Sequence, residues 1–330
     1  MTFLFVLLAL AALVLVGLAW FTHRTARRIE AFMPAKGRFV DVPGARLHVR
    51  ESGKASGPAI LLVHGLGGQS AHFDYGVADY LAQRHRVVAV DRPGSGHSQR
   101  DPSTPADVST QAAALAALID KLALERPTIA GHSLGGAIAL TLALEHPDKV
   151  GALALVAPLT HVQDSAPEVF RALAIASPWV RKLFAWTLAT PGAIAGSKKV
   201  LAAVFAPESA PRDFAVKGGG MLSLRPRQFL AASSDMQALP GHMPGVQARY
   251  GELSVPVGVL YGREDAILDW KMQGQGLADK VAGARLQLVA GGHMLPVTQP
   301  QLVAEFIEQC AREAQHAVPP DLTIRARRDA

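Results

Sequence analysis

Five consecutive residues, Gly131-His132-Ser133-Leu134-Gly135, carry the clearest chemistry in the chain. An apolar run ends just before them and an Ala/Leu-rich run starts just after, so Ser133 falls on a strand-to-helix turn. A G-x-S-x-G turn bends sharply, and its neighbours must lack bulk. Gly131, Gly135 and Gly136 meet that need. The bend lifts the Ser133 hydroxyl above the sheet, at a helix N-terminus whose dipole favours an oxyanion. A serine held this way is a nucleophile for acyl transfer once a base takes its proton.

Three further stretches supply the partners that this chemistry requires. His64-Gly65-Leu66-Gly67-Gly68 directly follows an apolar run. A developing oxyanion needs two N–H donors; the backbone N–H of Leu134 is one and that of Leu66 the other. The loop works through its backbone, so the His64 imidazole reads as structural. No G-x-x-x-x-G-K-[ST] and no G-x-G-x-x-G occurs there, so nucleotide binding is not expected. In Tyr261-Gly262-Arg263-Glu264-Asp265 a carboxylate sits at the end of a strand, where it can orient a histidine; Asp265 is the first choice, with Glu264 and Asp269 as alternatives. Gly291-Gly292-His293 lies on the loop after the next strand, and the order Ser133, Asp265, His293 suits His293 as the general base. The remaining histidines show no metal-ligand spacing and Cys310 stands alone, so no metal is expected.

The elements needed to position these residues follow the chain in order. Short alternating runs at 38–42 and 46–51 read as antiparallel strands. The continuous apolar run at 59–63 and the segment 86–90 read as buried strands, and 127–130, 152–156, 255–261 and 285–289 as further strands. Helical patterns at 75–83, 110–124, 135–146 and 301–314 lie between or after them. The alternation predicts an α/β fold with a mostly parallel sheet covered on both faces. Residues 161–250 break the rhythm. They hold several prolines, a Gly218-Gly219-Gly220 hinge signal and helix-like pieces at 166–176, 179–188 and 199–205, which reads as a helical cap. The core is then 38–160 with 251–315, and 316–330 is a loosely ordered tail.

The elbow G-H-S-L-G, the H-G-L-G-G loop, D-R-P-G-S-G-H-S at 91–98, G-R-E-D at 262–265 and G-G-H at 291–293 together resemble the α/β-hydrolase superfamily over about residues 38–315. The chain is most similar to the capped branch that includes esterases, monoacylglycerol lipases and C–C bond hydrolases. The resemblance implies an eight-stranded sheet, a helical lid from 161–250, no cofactor, and a mainly architectural role for the 91–98 turn. Ser133 rather than Asp at the nucleophile position argues against dehalogenase and epoxide hydrolase chemistry. Leu134 stands where cofactor-free perhydrolases commonly have Met. The expected activity is ester hydrolysis by Ser133, His293 and Asp265, on apolar or lipid-derived acyl groups. C–C bond hydrolysis or perhydrolysis is the alternative; a C–C hydrolase would need a polar pocket for a substrate carboxylate, with Arg225 or Arg227 as candidates. A catalytically silent membrane scaffold is the second alternative. Met221, Trp179, Trp186, Phe170, Phe184, Met236 and Met243 line a pocket or simply pack the cap.

Charge and hydropathy place the molecule. The net charge of +6 is concentrated in residues 1–38, which carry five basic residues against Glu30, while 39–316 carry only +1. A nearly neutral body has no basic face for nucleic acid. Phe3 to Phe21 is nineteen residues without a charge. At 1.5 Å per residue it spans about 28 Å, close to the thickness of a bilayer's hydrocarbon. Trp20 and Phe21 at its end and the basic residues Arg24, Arg27 and Arg28 beyond it fit a single-pass anchor over 1–23, followed by a basic linker over 24–37. A cleaved signal peptide is the rival reading, but it would need a basic start and an A-x-A-like site. The bias of Lys and Arg toward the far side places the catalytic domain in the cytoplasm. The oligomeric state is not legible.

Overall fold

The computed structural model describes residues 1–163 and 167–316. Strands β1 (Arg38–Val42), β2 (Ala45–Gly53), β3 (Ala59–Val63), β4 (Arg86–Val90), β5 (Gln99–Arg100), β6 (Thr128–His132), β7 (Ala152–Val156), β8 (Val257–Gly262) and β9 (Arg285–Val289) form one sheet. Eight follow the order β1-β2-β4-β3-β6-β7-β8-β9, and β5 pairs with β2 off that path. The β1–β2 and β2–β4 pairs are antiparallel, and every neighbour from β4 to β9 is parallel. The extra strand β5 is too short to leave a periodic signal in the sequence.

Alternation along the parallel strands feeds two separate cores. In β3, Leu61 and Val63 face helices α3 (Val108–Lys121) and α4 (Leu134–Glu145). Ile60 and Leu62 face the opposite layer, α2 (Val77–Ala82) and the C-terminal helix Pro300–His316. Each fully buried Leu or Ile contributes about 1.5–3 kcal/mol relative to exposure. Helix α4 is buried at every position from Leu134 to Leu144. A helix apolar on all sides belongs inside the protein, and this one anchors the turn that precedes it.

The segment between β7 and β8 forms the expected cap. It holds α5 (Pro178–Thr187), α6 (Ala189–Phe205) and α7 (Pro226–Ala248). The last of these is a departure from the sequence reading, which saw prolines there rather than a helix. Pro240 and Pro244 lie inside α7, each removing a backbone donor at a cost of order 3 kcal/mol. Burial of Gln228, Ala231, Ala232, Asp235, Met243 and Val246 on this helix offsets that cost. The expected helix at 166–176 is instead a short 3-10 segment, Glu168–Leu173.

Helix α1 (Thr2–Phe32) also departs from the sequence reading. Residues 24–32 are helical rather than a linker, because Thr22, Ala26 and Ile29 form a stripe buried against the cap. The Thr22 hydroxyl donates to Thr187 O, and the His23 ring lies 6.5 Å from that of Trp186. Helix α1 meets the length and composition of a membrane span, a test that a signal sequence also passes. The expected tail at 317–330 lies outside the described residues.

Candidate active site

The β6–α4 turn puts Ser133 in a conformation few L-residues adopt, φ 53° and ψ −122°. The elbow is crowded as its glycines implied: a Cβ at Gly131 would fall 2.5 Å from Gly135 O, and one at Gly136 would fall 2.5 Å from Pro158 Cβ. Ser133 N–H donates to Val156 O, and Ser133 O accepts from Gly136 and Leu159, so the backbone here is held on both sides.

Asp265 and His293 are brought together. His293 Nδ1 lies 2.8 Å from Asp265 Oδ2 with both side chains buried. The other oxygen, Oδ1, accepts from the Ile267 and Leu268 N–H groups at 2.8 and 3.0 Å. A carboxylate is an acceptor only, so His293 donates from Nδ1 and leaves Nε2 free to act as a base. The two alternative acids have other work. Glu264 accepts from Gly291 N–H at 2.6 Å, and Asp269 caps the Lys271 N–H. Glu208 of the cap accepts from Gly292 N–H at 3.1 Å, so Glu264 and Glu208 brace the loop bearing His293. Behind this loop, His132 Nε2 donates to His293 O at 3.0 Å.

Ser133 sits where two chambers meet. The larger, about 450 Å³, is lined by Gly65, Leu66, His132, Ser133, His293 and the inner faces of α5, α6 and α7. The smaller, about 140 Å³, is lined by Leu66, Ser133, Leu134, Leu159, Ile267 and Leu268 among others. Phe170, Phe184 and Met236 are wall residues, whereas Met243 is core. Trp179 and Trp186 line neither chamber; both are exposed on α5. Among the described lining residues neither chamber has a Lys or Arg. Arg225 and Arg227 are turned elsewhere, with Gly96 O and Glu30 as their neighbours.

The loop His64–Gly68 is held from two sides. Arg92, completely buried, donates to His64 O and Gly65 O at 3.0 Å each, to Gln111 at 2.6 Å, and to Asp235 of α7 at 2.8 Å. His64 Nε2 accepts from Arg92 N–H at 3.0 Å. From the cap, Gln228 donates to Gly67 O and Gly68 O. The carbonyls of His64, Gly65, Gly67 and Gly68 are thus occupied, while among the described residues no main-chain acceptor takes the Leu66 or Leu134 N–H. Asp91 organises the next turn: it accepts from Ser70 and His97 N–H groups and meets His48 Nδ1 at 2.8 Å. None of Arg92, Asp235, Gln228 or Glu208 stood out in the sequence. Arg92 lies inside the 91–98 motif, but its buried counter-charge, Asp235, is 143 residues away, beyond any spacing rule.

Burial sets the electrostatics around the site. His64 and His132 are held well below the ordinary imidazole range by desolvation, and His72 is lowered to about 4 for the same reason. Burial alone would raise the Asp91 pKa, but the His48 hydrogen bond and the neighbouring imidazoles hold it well below the carboxylate range. The three rings are neutral when folded and take protons more readily when unfolded. Stability is therefore full above pH 6.5 and falls as pH drops toward 4. His72 reaches the water of the larger chamber, so its own share at pH 5 is at most about 2 kcal/mol. Thermal unfolding should give a level Tm above about pH 7 and a decline through pH 6 to 5. A Tm level down to about pH 4.5 would contradict this assignment.

The comparisons with known proteins agree with this architecture. Two thirds of the chain and more, residues 58–300, match the family profile of the alpha/beta hydrolase fold. An uncharacterized protein of Mycobacterium bovis is 41% identical over 133 residues, 40% of this chain and 38% of that protein, so the match spans well under half of that relative's length. A putative carbamate hydrolase of Variovorax paradoxus is 27% identical over 83% of this chain and 99% of its own length. A crystal structure of a membrane phospholipase A aligns with TM-score 0.67 at 24% identity, covering 95% of this chain and 98% of that one, a likeness that shows the fold. With its sheet order, its elbow and its matched profile, the chain belongs to the α/β hydrolase fold family.

Proposed function

We propose that the protein is a serine hydrolase of carboxylic esters with apolar limbs, lipid-derived esters among them. The observation that carries this reading is the placement of Ser133 at the junction of two chambers, with His293, paired to Asp265, on the wall of the larger one. His293 Nε2 takes the Ser133 proton as Oγ attacks the ester carbon, and the Leu66 and Leu134 N–H groups hold the oxyanion. His293 then gives that proton to the leaving alcohol. Water, deprotonated by the same nitrogen, attacks the acyl-serine and releases the acid with Ser133 restored. Asp265 fixes the tautomer and stabilises the imidazolium. No step calls for a cofactor.

The C–C hydrolase alternative needs a cationic grip on a substrate carboxylate. Apolar chamber walls and the placement of Arg225 and Arg227 at Gly96 and Glu30 favour the ester reading. The putative carbamate hydrolase among the relatives points to acyl chemistry of the same kind at a nitrogen leaving group, which the same residues would serve. Helix α1 serves as a single-pass anchor in this reading, with the catalytic domain on the cytoplasmic side.

A grid of esters varied separately in acyl and alcohol length tests the proposal. Turnover should rise with apolar length on both sides before reaching a plateau. A larger chamber of about 450 Å³ lies within the usual range for small-molecule sites. Turnover confined to carbamates, or to substrates bearing a free carboxylate, would overturn it.

A further inference from the structure

Helices α5 and α6 carry apolar side chains that the fold does not cover. Trp179, Leu183 and Trp186 recur at i, i+4 and i+7, on one face of α5. Their exposures are 82%, 56% and 39%. A soluble surface rarely leaves such a stripe bare without a partner.

The position of the stripe identifies the partner. The C-terminal end of α5 abuts α1: Thr187 O accepts from Thr22, and Trp186 stacks on His23. His23 follows Phe21, the last residue of the apolar segment, by two positions, about 3 Å along the helix. The rest of α5 packs against α7, through the Phe184–Phe229 ring contact and the Arg181–Ser234 hydrogen bond. The C-terminal end of α5, with Trp186 of the stripe, thus lies at the end of the apolar segment, where a bilayer surface would be. Exposed Lys182 on α5 and exposed Arg24, Arg27 and Arg28 on α1 supply positive charge at the same level for anionic headgroups.

The larger chamber opens at this place. Leu188 at the α5–α6 corner and Ala193 and Val200 along α6 both line the chamber and are exposed, so they form its mouth. We infer that the stripe on α5 is a lipid-docking surface, and that the mouth on α6 faces the bilayer and admits apolar substrate from it. This rests on the reading of Phe3–Phe21 as a bilayer span and names the route by which the proposed ester reaches Ser133.

The full chain in phosphatidylglycerol/phosphatidylethanolamine nanodiscs tests this through nitroxides on single introduced cysteines. The native Cys310 is buried, with its thiol pushed up to about 12 by burial, so labelling is confined to the new sites. Four variants suffice: Leu13→Cys in the apolar segment, Trp179→Cys and Leu183→Cys on the stripe, and Glu125→Cys in the exposed turn before β6, at the opposite end of that strand from Ser133. Oxygen should reach labels at 13, 179 and 183 in preference to a water-soluble relaxant, with the reverse at 125. A lipid environment at 13 with an aqueous one at 179 and 183 overturns the docking surface while leaving the anchor in place. An aqueous environment at 13 overturns the anchor, and the docking surface with it. In a second assay, W179E/L183E should lower turnover of a vesicle-borne ester by about tenfold or more relative to a soluble short-chain ester. An unchanged ratio counts against the inference.

Discussion

Ser133→Ala should reduce kcat on the best ester by about 10⁴-fold or more and abolish labelling by a fluorophosphonate. The side chain contributes one hydroxyl and little packing, since Ser133 lies at a chamber wall rather than in the core. The Tm should therefore move by less than about 1 kcal/mol equivalent. Asp265→Asn should cost about 10³–10⁴-fold, because an amide can donate to His293 Nδ1 and select the wrong tautomer. The informative comparison is the double variant. Residues that act as one unit are not additive, so S133A/D265N should be no slower than S133A. Multiplicative losses would show that Asp265 acts outside the unit. Retained labelling in S133A would remove Ser133 from the chemistry altogether.

Asp235→Ala should destabilise the protein by about 3–5 kcal/mol. Its carboxylate is fully buried between Arg92 and Arg100, at 2.8 Å from each. Removing it leaves the Arg92 guanidinium inside the protein without its counter-charge. The pair itself need not add net stability, since two charges lose hydration on burial and their attraction roughly repays it. The large cost comes from breaking one side only. The variant should also lose activity beyond what its stability predicts, because Arg92 holds the carbonyls of His64 and Gly65 and so fixes the direction of the Leu66 N–H. Chemical denaturation with kcat measured well below the Tm separates the two effects. A change below about 1 kcal/mol would mean that water enters and hydrates Arg92.

Much of this molecule is written locally. The runs at 59–63, 86–90, 152–156 and 285–289 match observed strands residue for residue, and those at 59–63 and 152–156 are apolar throughout, as a parallel strand buried on both faces must be. The glycines at 131, 135 and 136 mark a turn whose crowding is visible in the coordinates. Asp265 and His293 follow from chain order and meet as expected. What stayed hidden depends on distant partners. Helix α7 defies its own prolines because its other residues are buried by elements far along the chain. The Arg92–Asp235 pair joins two positions with nothing between them to connect them in sequence. Residues 24–32 read as a basic linker because their charges are obvious, whereas the stripe of Thr22, Ala26 and Ile29 is short and mixed in polarity. Its partner is the cap, and only the folded cap reveals it.

The unbroken course of α1 has a consequence for encounter rates. Thirty-one residues without a proline make a rod about 46 Å long, one end apolar and the other gripping the cap. A flexible tether would let the hydrolase body tumble, and each productive collision would have to find one orientation among many. In the proposed membrane-bound state a rod with no joint removes that rotational freedom once, on insertion, and it is not lost again with each substrate. Under that proposal the search becomes two-dimensional and pre-aligned, with lipid-derived esters diffusing laterally past the opening. Inserting a flexible Gly-Ser pair between Phe21 and Thr22 would keep the anchor and every contact at Ser133 and return the orientational search.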